Sequence, residues 1–276
     1  MKNTDAKYEA LKRFIENKGK NGAVIAFSGG VDSTTLVAVS HSILRDKAVA
    51  VTAQSPTYTP EELKEAKKAA KEIGIRLIVV ETDELSDENF SENPENRCYY
   101  CKKALLMRLR QVAEELGAKA VFEGTNFSDL TDHRPGFRAV KETENVYSPW
   151  VEAKFTKKEI RAVAKKMGLS VHDKPPLACL ASRIPYHERI TAEKLRRIGK
   201  AEQIIRETTS AQQLRVRDHN GLARIEVGKD ERSLLCNVEV LDKIAVALKR
   251  LGFKYVTIDV EGYRTGSLLL TIDSQE

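Results

Sequence analysis

No stretch of these 276 residues approaches the roughly 20 consecutive apolar residues that cross a bilayer. The opening Met1-Lys2-Asn3-Thr4-Asp5-Ala6-Lys7 leads into a charged helix and has no apolar signal core. These absences predict a cytoplasmic protein without membrane contact. Internal repeats and low-complexity segments are lacking too, which excludes solenoids and compositional disorder. The 41% hydrophobic residues suffice for one large core or two smaller ones. Cysteine is scarce, four in the chain. In a reducing compartment these make no disulfide framework, so their placement is read for metal or redox chemistry. The net charge of +6 is spread thinly. Lysines alternate with glutamates, as in Glu61-Glu62-Leu63-Lys64-Glu65-Ala66-Lys67-Lys68, which is the pattern of solvated helix faces and argues against a nucleic-acid partner. Finally, no Gly-x-x-x-x-Gly-Lys-Ser/Thr occurs, which excludes the common nucleotide-triphosphatase loop.

What the chain has instead is Ser28-Gly29-Gly30-Val31-Asp32-Ser33, between apolar Ala23-Val24-Ile25-Ala26-Phe27 and helix-like Thr34-Thr35-Leu36-Val37-Ala38-Val39. It reads as strand, tight turn, helix. Two glycines let the backbone turn without Cβ clashes. The first amides of the helix then point into the same concavity as the Ser28 and Ser33 hydroxyls, a nest for phosphate. The six-residue string resembles the pyrophosphate loop of ATP pyrophosphatases, which adenylate a substrate and release pyrophosphate.

Further strands are expected over residues 48–53, 76–80 and 120–122, with helices between. One helix starts at Thr59-Pro60-Glu61-Glu62, with an N-cap, a proline at N1 and a capping-box glutamate. Alternating strands and helices imply a parallel sheet with right-handed crossovers, whose ligand crevice lies at the carboxyl ends of the strands, where residues 28–33 fall. Cys98-Tyr99-Tyr100-Cys101-Lys102-Lys103 opens another helix, running to about Gly117. Its two thiols lie one turn apart at an N-terminus that stabilises thiolates, suiting metal ligation and redox exchange equally; unreactive buried thiols are the other reading. After the fourth strand, Glu123-Gly124-Thr125-Asn126, Asp129, Asp132, His133, Arg134, Pro135 and Gly136 crowd the edge where Mg²⁺ or nucleotide contacts would be needed, or else form a surface loop of Asp–Arg pairs. His133 is read as packing or capping.

Thr156-Lys157-Lys158-Glu159 is a second capping box. Beyond it, Lys174-Pro175-Pro176-Leu177-Ala178-Cys179-Leu180-Ala181-Ser182-Arg183-Ile184-Pro185-Tyr186 is an irregular loop with prolines at each end. From Thr191 a smaller α/β unit is expected: a helix over 192–207, two short strands, a helix over 230–251 and a strand over 255–259. In Leu214-Arg215-Val216-Arg217, strand alternation puts both arginines on one face, and Arg224 and Glu226 alternate likewise. Side-by-side guanidinium groups suit a phosphate, and cross-strand pairing with glutamate suits them equally. Cys236 is read as core. The division expected is a parallel-sheet domain over 1–188 and a smaller α/β domain over 189–276.

The combination of residues 28–33, Gly124-Thr125-Asn126 with Asp129 and Arg134-Pro135-Gly136, Ser182-Arg183-Ile184-Pro185-Tyr186 and Arg215-Val216-Arg217 resembles the LarE family of ATP-dependent sulfur transferases, over nearly the whole chain. The resemblance implies an α/β fold of the ATP pyrophosphatase (adenine nucleotide alpha hydrolase-like) kind, with ATP and Mg²⁺. It also implies adenylation of the carboxylates of pyridinium-3,5-biscarboxylic acid mononucleotide, their conversion to thiocarboxylates for the nickel-pincer nucleotide of lactate racemase, and homo-oligomers. One branch of the family sacrifices the sulfur of a loop cysteine; in the other, three cysteines hold a 4Fe-4S cluster. This chain matches the second branch at Cys98, Cys101 and Cys179, while an ungapped match on Ser182-Arg183 puts the sacrificial position at Ala178. Three thiolates leave one iron open to a sulfide from an upstream sulfur donor. A zinc site, or a Cys98–Cys101 pair passing a persulfide, are the alternatives. The nucleotide and its metal are then expected on Ser28, Gly29, Gly30, Val31, Asp32, Ser33, Lys102, Lys103, Gly124, Asp129 and Arg134, with Asp32 also catalytic. The mononucleotide is expected on Ser182, Arg183, Arg215, Arg217 and Glu226. Competing readings are an amidating ligase like NAD or GMP synthetase, a tRNA thiolase, and a non-catalytic nucleotide or metal sensor.

Overall fold

The computed structural model describes residues 2–131, 135–175 and 178–264. In chain order the elements are α1 Lys2–Gly19, β1 Ala23–Ala26, α2 Val31–Leu44, β2 Ala48–Gln54, α3 Pro60–Ile73, β3 Arg76–Glu81, α4 Glu88–Ser91, α5 Arg97–Glu115, β4 Ala120–Phe122, α6 Pro135–Glu142, β5 Val146–Tyr147, α7 Pro149–Glu152, α8 Lys157–Lys166, α9 Ala192–Thr209, β6 Leu214–His219, β7 Leu222–Val227, α10 Val238–Arg250 and β8 Tyr255–Ile258. They fall into two compact units, Met1–Glu84 with Asn96–Leu177, and Leu85–Glu95 with Ala178–Glu276.

The first unit is built on a sheet of order β3-β2-β1-β4-β5, parallel throughout. Strands β1 and β4, at its centre, are apolar at every position because both faces are covered. The two-residue period sends Ile25 into one core, with Leu11, Ile15, Leu36, Trp150 and Phe155. Its neighbour Val24 enters the other, with Leu106, Leu109, Val121 and Val140. Strand order reverses between β1 and β4, so the crevice opens at their carboxyl ends. Both expected capping boxes form. At α3, Glu62 N donates to Thr59 Oγ1 at 3.3 Å and Thr59 N to Glu62 Oε2 at 2.8 Å; at α8, Thr156 and Glu159 do the same. The two-residue β5 and the single-turn α7 are too short to show a repeating pattern in the sequence.

In the second unit β6 and β7 form an antiparallel hairpin and β8 lies parallel to β7. The hairpin turns at Asn220-Gly221, with φ of 49° and 93°, the dipeptide that a two-residue turn favours. Ile205, Leu214, Val216, Ile225, Leu248 and Phe253 fill the core between sheet and helices. Two expectations are corrected here. The helix over 230–251 is broken: a 3₁₀ stretch Lys229–Leu235 ends at Cys236, and α10 restarts with Asn237 Oδ1 accepting from Glu239 N at 2.8 Å. Cys236 is therefore exposed and not core, its thiol donating to Arg232 O at 3.5 Å, while Leu235 takes the buried place. No described helix is long and apolar enough to cross a membrane.

Candidate functional site

Phe27 N still bonds Val51 O at 2.8 Å, and there the chain leaves the sheet. Gly29 has φ +72°, and a Cβ on it would lie 3.3 Å from Ala66 Cα, so both backbone conformation and the approach of α3 demand glycine. Gly30 is the N-cap of α2 and carries no side chain to cover the helix amides. The loop closes on itself through its serines: Ser28 Oγ lies 3.0 Å from Ser33 Oγ, which accepts from Ser28 N at 3.2 Å and donates to Gly30 O at 3.1 Å. Gly124 lets the end of β4 pass close by, since a Cβ there would sit 3.3 Å from Ser33 N.

Two ammonium groups flank this loop that sequence reasoning did not single out. Lys157, the first residue of α8, pairs with the Asp32 carboxylate. Lys174 Nζ donates to Gly29 O at 3.1 Å and to Glu65 Oε2 at 2.5 Å. Both come from outside the loop, unlike the lysine that a nucleotide-triphosphatase loop carries within itself. Trp150 Nε1 steadies the same turn by donating to Asp32 O at 3.1 Å.

Glu123 ends β4 with its side chain 1% exposed and accepts from Lys102 Nζ at 2.7 Å. Thr125 N, Thr125 Oγ1 and Ser148 Oγ donate to it as well. Burial alone would raise its pKa, but Lys102 and these hydroxyls outweigh that and hold it below the ordinary carboxylate value. The pair fixes Lys102 at the sheet edge, in the same turn as Cys98 and Cys101. Lys103 turns instead to Tyr99, 3.4 Å from its hydroxyl. Asp129 Oδ2 accepts from Asn126 N at 3.1 Å and closes its own loop. Arg134, Asp132 and His133 lie outside the described residues. Cys98 is exposed and Cys101 partly so, which removes the buried-thiol reading for both.

In the second unit Cys179 is also partly exposed and precedes a 3₁₀ turn, Leu180–Arg183. Arg183 is buried and meets Glu202, Nε to Oε1 at 2.8 Å and Nη2 to Oε2 at 3.2 Å. Arg217 takes the ion-pair alternative, with Nε and Nη2 on Glu226 at 3.0 and 2.8 Å and Nη1 on Ser182 O at 2.6 Å. Arg224 shares Glu226 at 2.9 Å. Arg215 differs: among the described residues it donates to its own Leu214 O and stacks 5.3 Å over Tyr263, with no carboxylate within ion-pair distance. Burial, and next the neighbouring Arg183, lower its pKa; Glu202 opposes this in part and Arg217 adds to it. An anion would relieve that repulsion. Cys98 and Cys101 thus belong to one unit and Cys179 to the other. Among the described residues no three His, Cys, Asp or Glu side chains gather to hold a metal ion.

Residues 4–119 match the NAD synthase family. An uncharacterized protein of Synechocystis sp. is 42% identical over 264 residues, 96% of this chain and 97% of its own length. The pyridinium-3,5-bisthiocarboxylic acid mononucleotide synthase of Lactiplantibacillus plantarum is 35% identical over 245 residues, 88% of this chain and 87% of its own. A subunit of the glutamine-hydrolyzing GMP synthase of Archaeoglobus fulgidus is 24% identical over 210 residues, 72% of this chain and 68% of its own.

Proposed function

The chain belongs to the LarE family of ATP-dependent sulfur transferases, and we propose that it adenylates the carboxylates of pyridinium-3,5-biscarboxylic acid mononucleotide and exchanges the activated oxygens for sulfur, toward the nickel-pincer nucleotide of lactate racemase. The observation that carries the reading is the self-closed loop of residues 28–33 with the uncapped start of α2, flanked by Lys157 and Lys174. Amides of residues 29–33 hold the β- and γ-phosphates, and Lys157 and Lys174 neutralise them. With Lys157 turned to phosphate, the Asp32 carboxylate is released for Mg²⁺, which would polarise the phosphates. The substrate carboxylate attacks the α-phosphorus and pyrophosphate leaves. Sulfur then attacks the acyl carbon and AMP departs. Arg215 takes the phosphate of the mononucleotide, and Lys102 is held ready beside the nucleotide by Glu123.

For the sulfur we propose a 4Fe-4S cluster on Cys98, Cys101 and Cys179. Support comes from the donor set: three thiols, none of them buried, two of them one turn apart at the start of a helix. When bound, such a cluster leaves one iron for an added sulfide, the sulfur to be transferred. An amidating ligase is the second reading; the similarity to GMP synthase favours it, but it gives the three thiols no task. An anaerobic preparation assayed for iron, acid-labile sulfide and visible absorption, beside Cys98→Ala, Cys101→Ala and Cys179→Ala variants, tests the proposal. About four irons per chain, lost in each variant, is the expected result. Zinc or no metal refutes the cluster, and absence of AMP and pyrophosphate release with the mononucleotide refutes the adenylation.

A further inference from the structure

Arg183 is used up by the protein itself. One edge of its guanidinium meets the buried carboxylate of Glu202. The other, Nη1, donates to Ala178 O at 2.8 Å, Cys179 O at 3.1 Å and Ser182 Oγ at 3.0 Å. The side chains of Arg183 and Glu202 are 4% and 3% exposed. Glu202 is itself tied down, accepting from Val216 N at 3.1 Å on β6 and Arg206 Nη2 at 3.2 Å on α9. A phosphate could reach Arg183 only by displacing a buried bidentate carboxylate or the carbonyls of the loop.

The far end of the same loop is held as well. Asn93, fully buried with φ +60°, donates from Nδ2 to Pro185 O at 2.6 Å and Glu188 O at 3.0 Å, and its carbonyl accepts from His187 N at 3.0 Å. Ile190 N bonds Ser91 O at 2.7 Å. These bonds draw residues 85–95 into the second unit. Between the two anchors the chain makes one short turn, Ser182 N to Cys179 O at 2.9 Å and Ile184 N to Ala181 O at 3.2 Å.

We propose that Arg183, braced by Glu202, is the positioning residue of Cys179: its planar fork fixes the carbonyls on both sides of the Ala178–Cys179 bond and so sets where the thiol stands. Lysine, with one point of charge, cannot span a carboxylate and a pair of carbonyls at once. The assignment of a task to Cys179 rests on the sulfur-transfer reading, whereas the clamp is measurable without it.

The test uses the whole protein as purified, with Arg183→Lys and the nearly isosteric Glu202→Gln, and Arg197→Lys as control. Arg197 pairs with the buried Asp218 at 2.6 Å in the same unit and bonds Gly252 O at 3.3 Å, both outside the cysteine loop. Amide hydrogen exchange at Ser182 and Ile184 and the iodoacetamide alkylation rate of Cys179 are followed beside thermal melting. Both variants should raise loop exchange and alkylation roughly tenfold or more above the control, the change in local opening that follows loss of one charge-assisted hydrogen bond. In sulfur transfer kcat should fall while KM for the mononucleotide stays. Loop exchange and alkylation no different from the control overturn the proposal. So does a raised KM with an unchanged loop, which makes Arg183 a phosphate ligand. An opened loop in a protein that releases no AMP leaves the clamp standing and removes the functional reading instead.

Discussion

Replacing Lys157 with alanine separates what its ammonium does for the fold from what it does for the reaction. Its side chain and that of Asp32 are 35% and 22% exposed, so water and salt screen the pair, which is worth at most about 1 kcal/mol. In a protein of this size that is a fall in Tm of about 2–4 °C. Under the proposed function the same charge would face the pyrophosphate as it leaves. Removing one preorganised group of this kind costs about 100- to 1,000-fold in kcat, or roughly 3–4 kcal/mol. Lys157→Ala should therefore melt almost as the parent does while pyrophosphate release falls at least about a hundredfold; Lys157→Arg, which keeps the charge, should recover part of the rate. Release of AMP and pyrophosphate at saturating ATP and mononucleotide, beside a thermal melt, reads both quantities. A variant that turns over within a few-fold of the parent, or one that loses stability and activity in equal measure, would sink the assignment.

Glu123→Gln leaves Lys102 without its buried partner and should destabilise the protein by roughly 3 kcal/mol at neutral pH. Because the folded pKa of Glu123 lies below the ordinary 4.5, the stabilisation from its charge is complete above that value and is lost as pH falls through the folded pKa; urea unfolding near neutrality and at acid pH should show the gap to the parent narrowing in acid, and an unchanged gap would mean the charge plays no part. Gly29→Ala forces a Cβ onto φ +72° and to 3.3 Å from Ala66 Cα, which should cost about 1–2 kcal/mol for the backbone alone and weaken ATP binding measured by calorimetry; parent-like melting and affinity would show that the turn relaxes freely.

What could be read from the chain follows from locality. Thr59 with Glu62 and Thr156 with Glu159 mark helix starts because each cap is a contact within four residues, and the loop of residues 28–33 is legible because turn, serines and helix start are adjacent. Strands β1 to β4 stand out as apolar runs, whereas β5, two residues long, carries no period. Lys157 and Lys174 belong to segments the sequence marks, yet they meet Asp32 and Gly29 from 125 and 145 residues away, and spacing holds no trace of that. Cys236 misled because the apolar neighbours suggested a continuous helix, where Asn237 starts a new one.

The arginines show a deeper reason why site residues are hard to assign from pattern. Alternation along Leu214-Arg215-Val216-Arg217 fits a phosphate and a salt bridge alike, and the chain uses the two positions differently, Arg217 on Glu226 and Arg215 in no ion pair among the described residues. The deciding groups are three carboxylates with side chains 1–3% exposed, Glu123, Glu202 and Glu226. Burying a charge pair gives little net stability compared with apolar packing, so stability alone is a poor reason for three of them. Their cations have neighbours of one kind. Lys102 follows Cys101, Arg183 holds the carbonyls of Ala178 and Cys179, and Arg217 holds that of Ser182 in the same turn as Cys179. Each carboxylate thus fixes a cation next to a segment that carries a cysteine. A fourth carboxylate, Asp218, is as deeply buried on Arg197, which also bonds Gly252 O, so burial alone does not mark these places; Arg183 and Arg217, ligand-like in the sequence, are engaged by Glu202 and Glu226 in the structure.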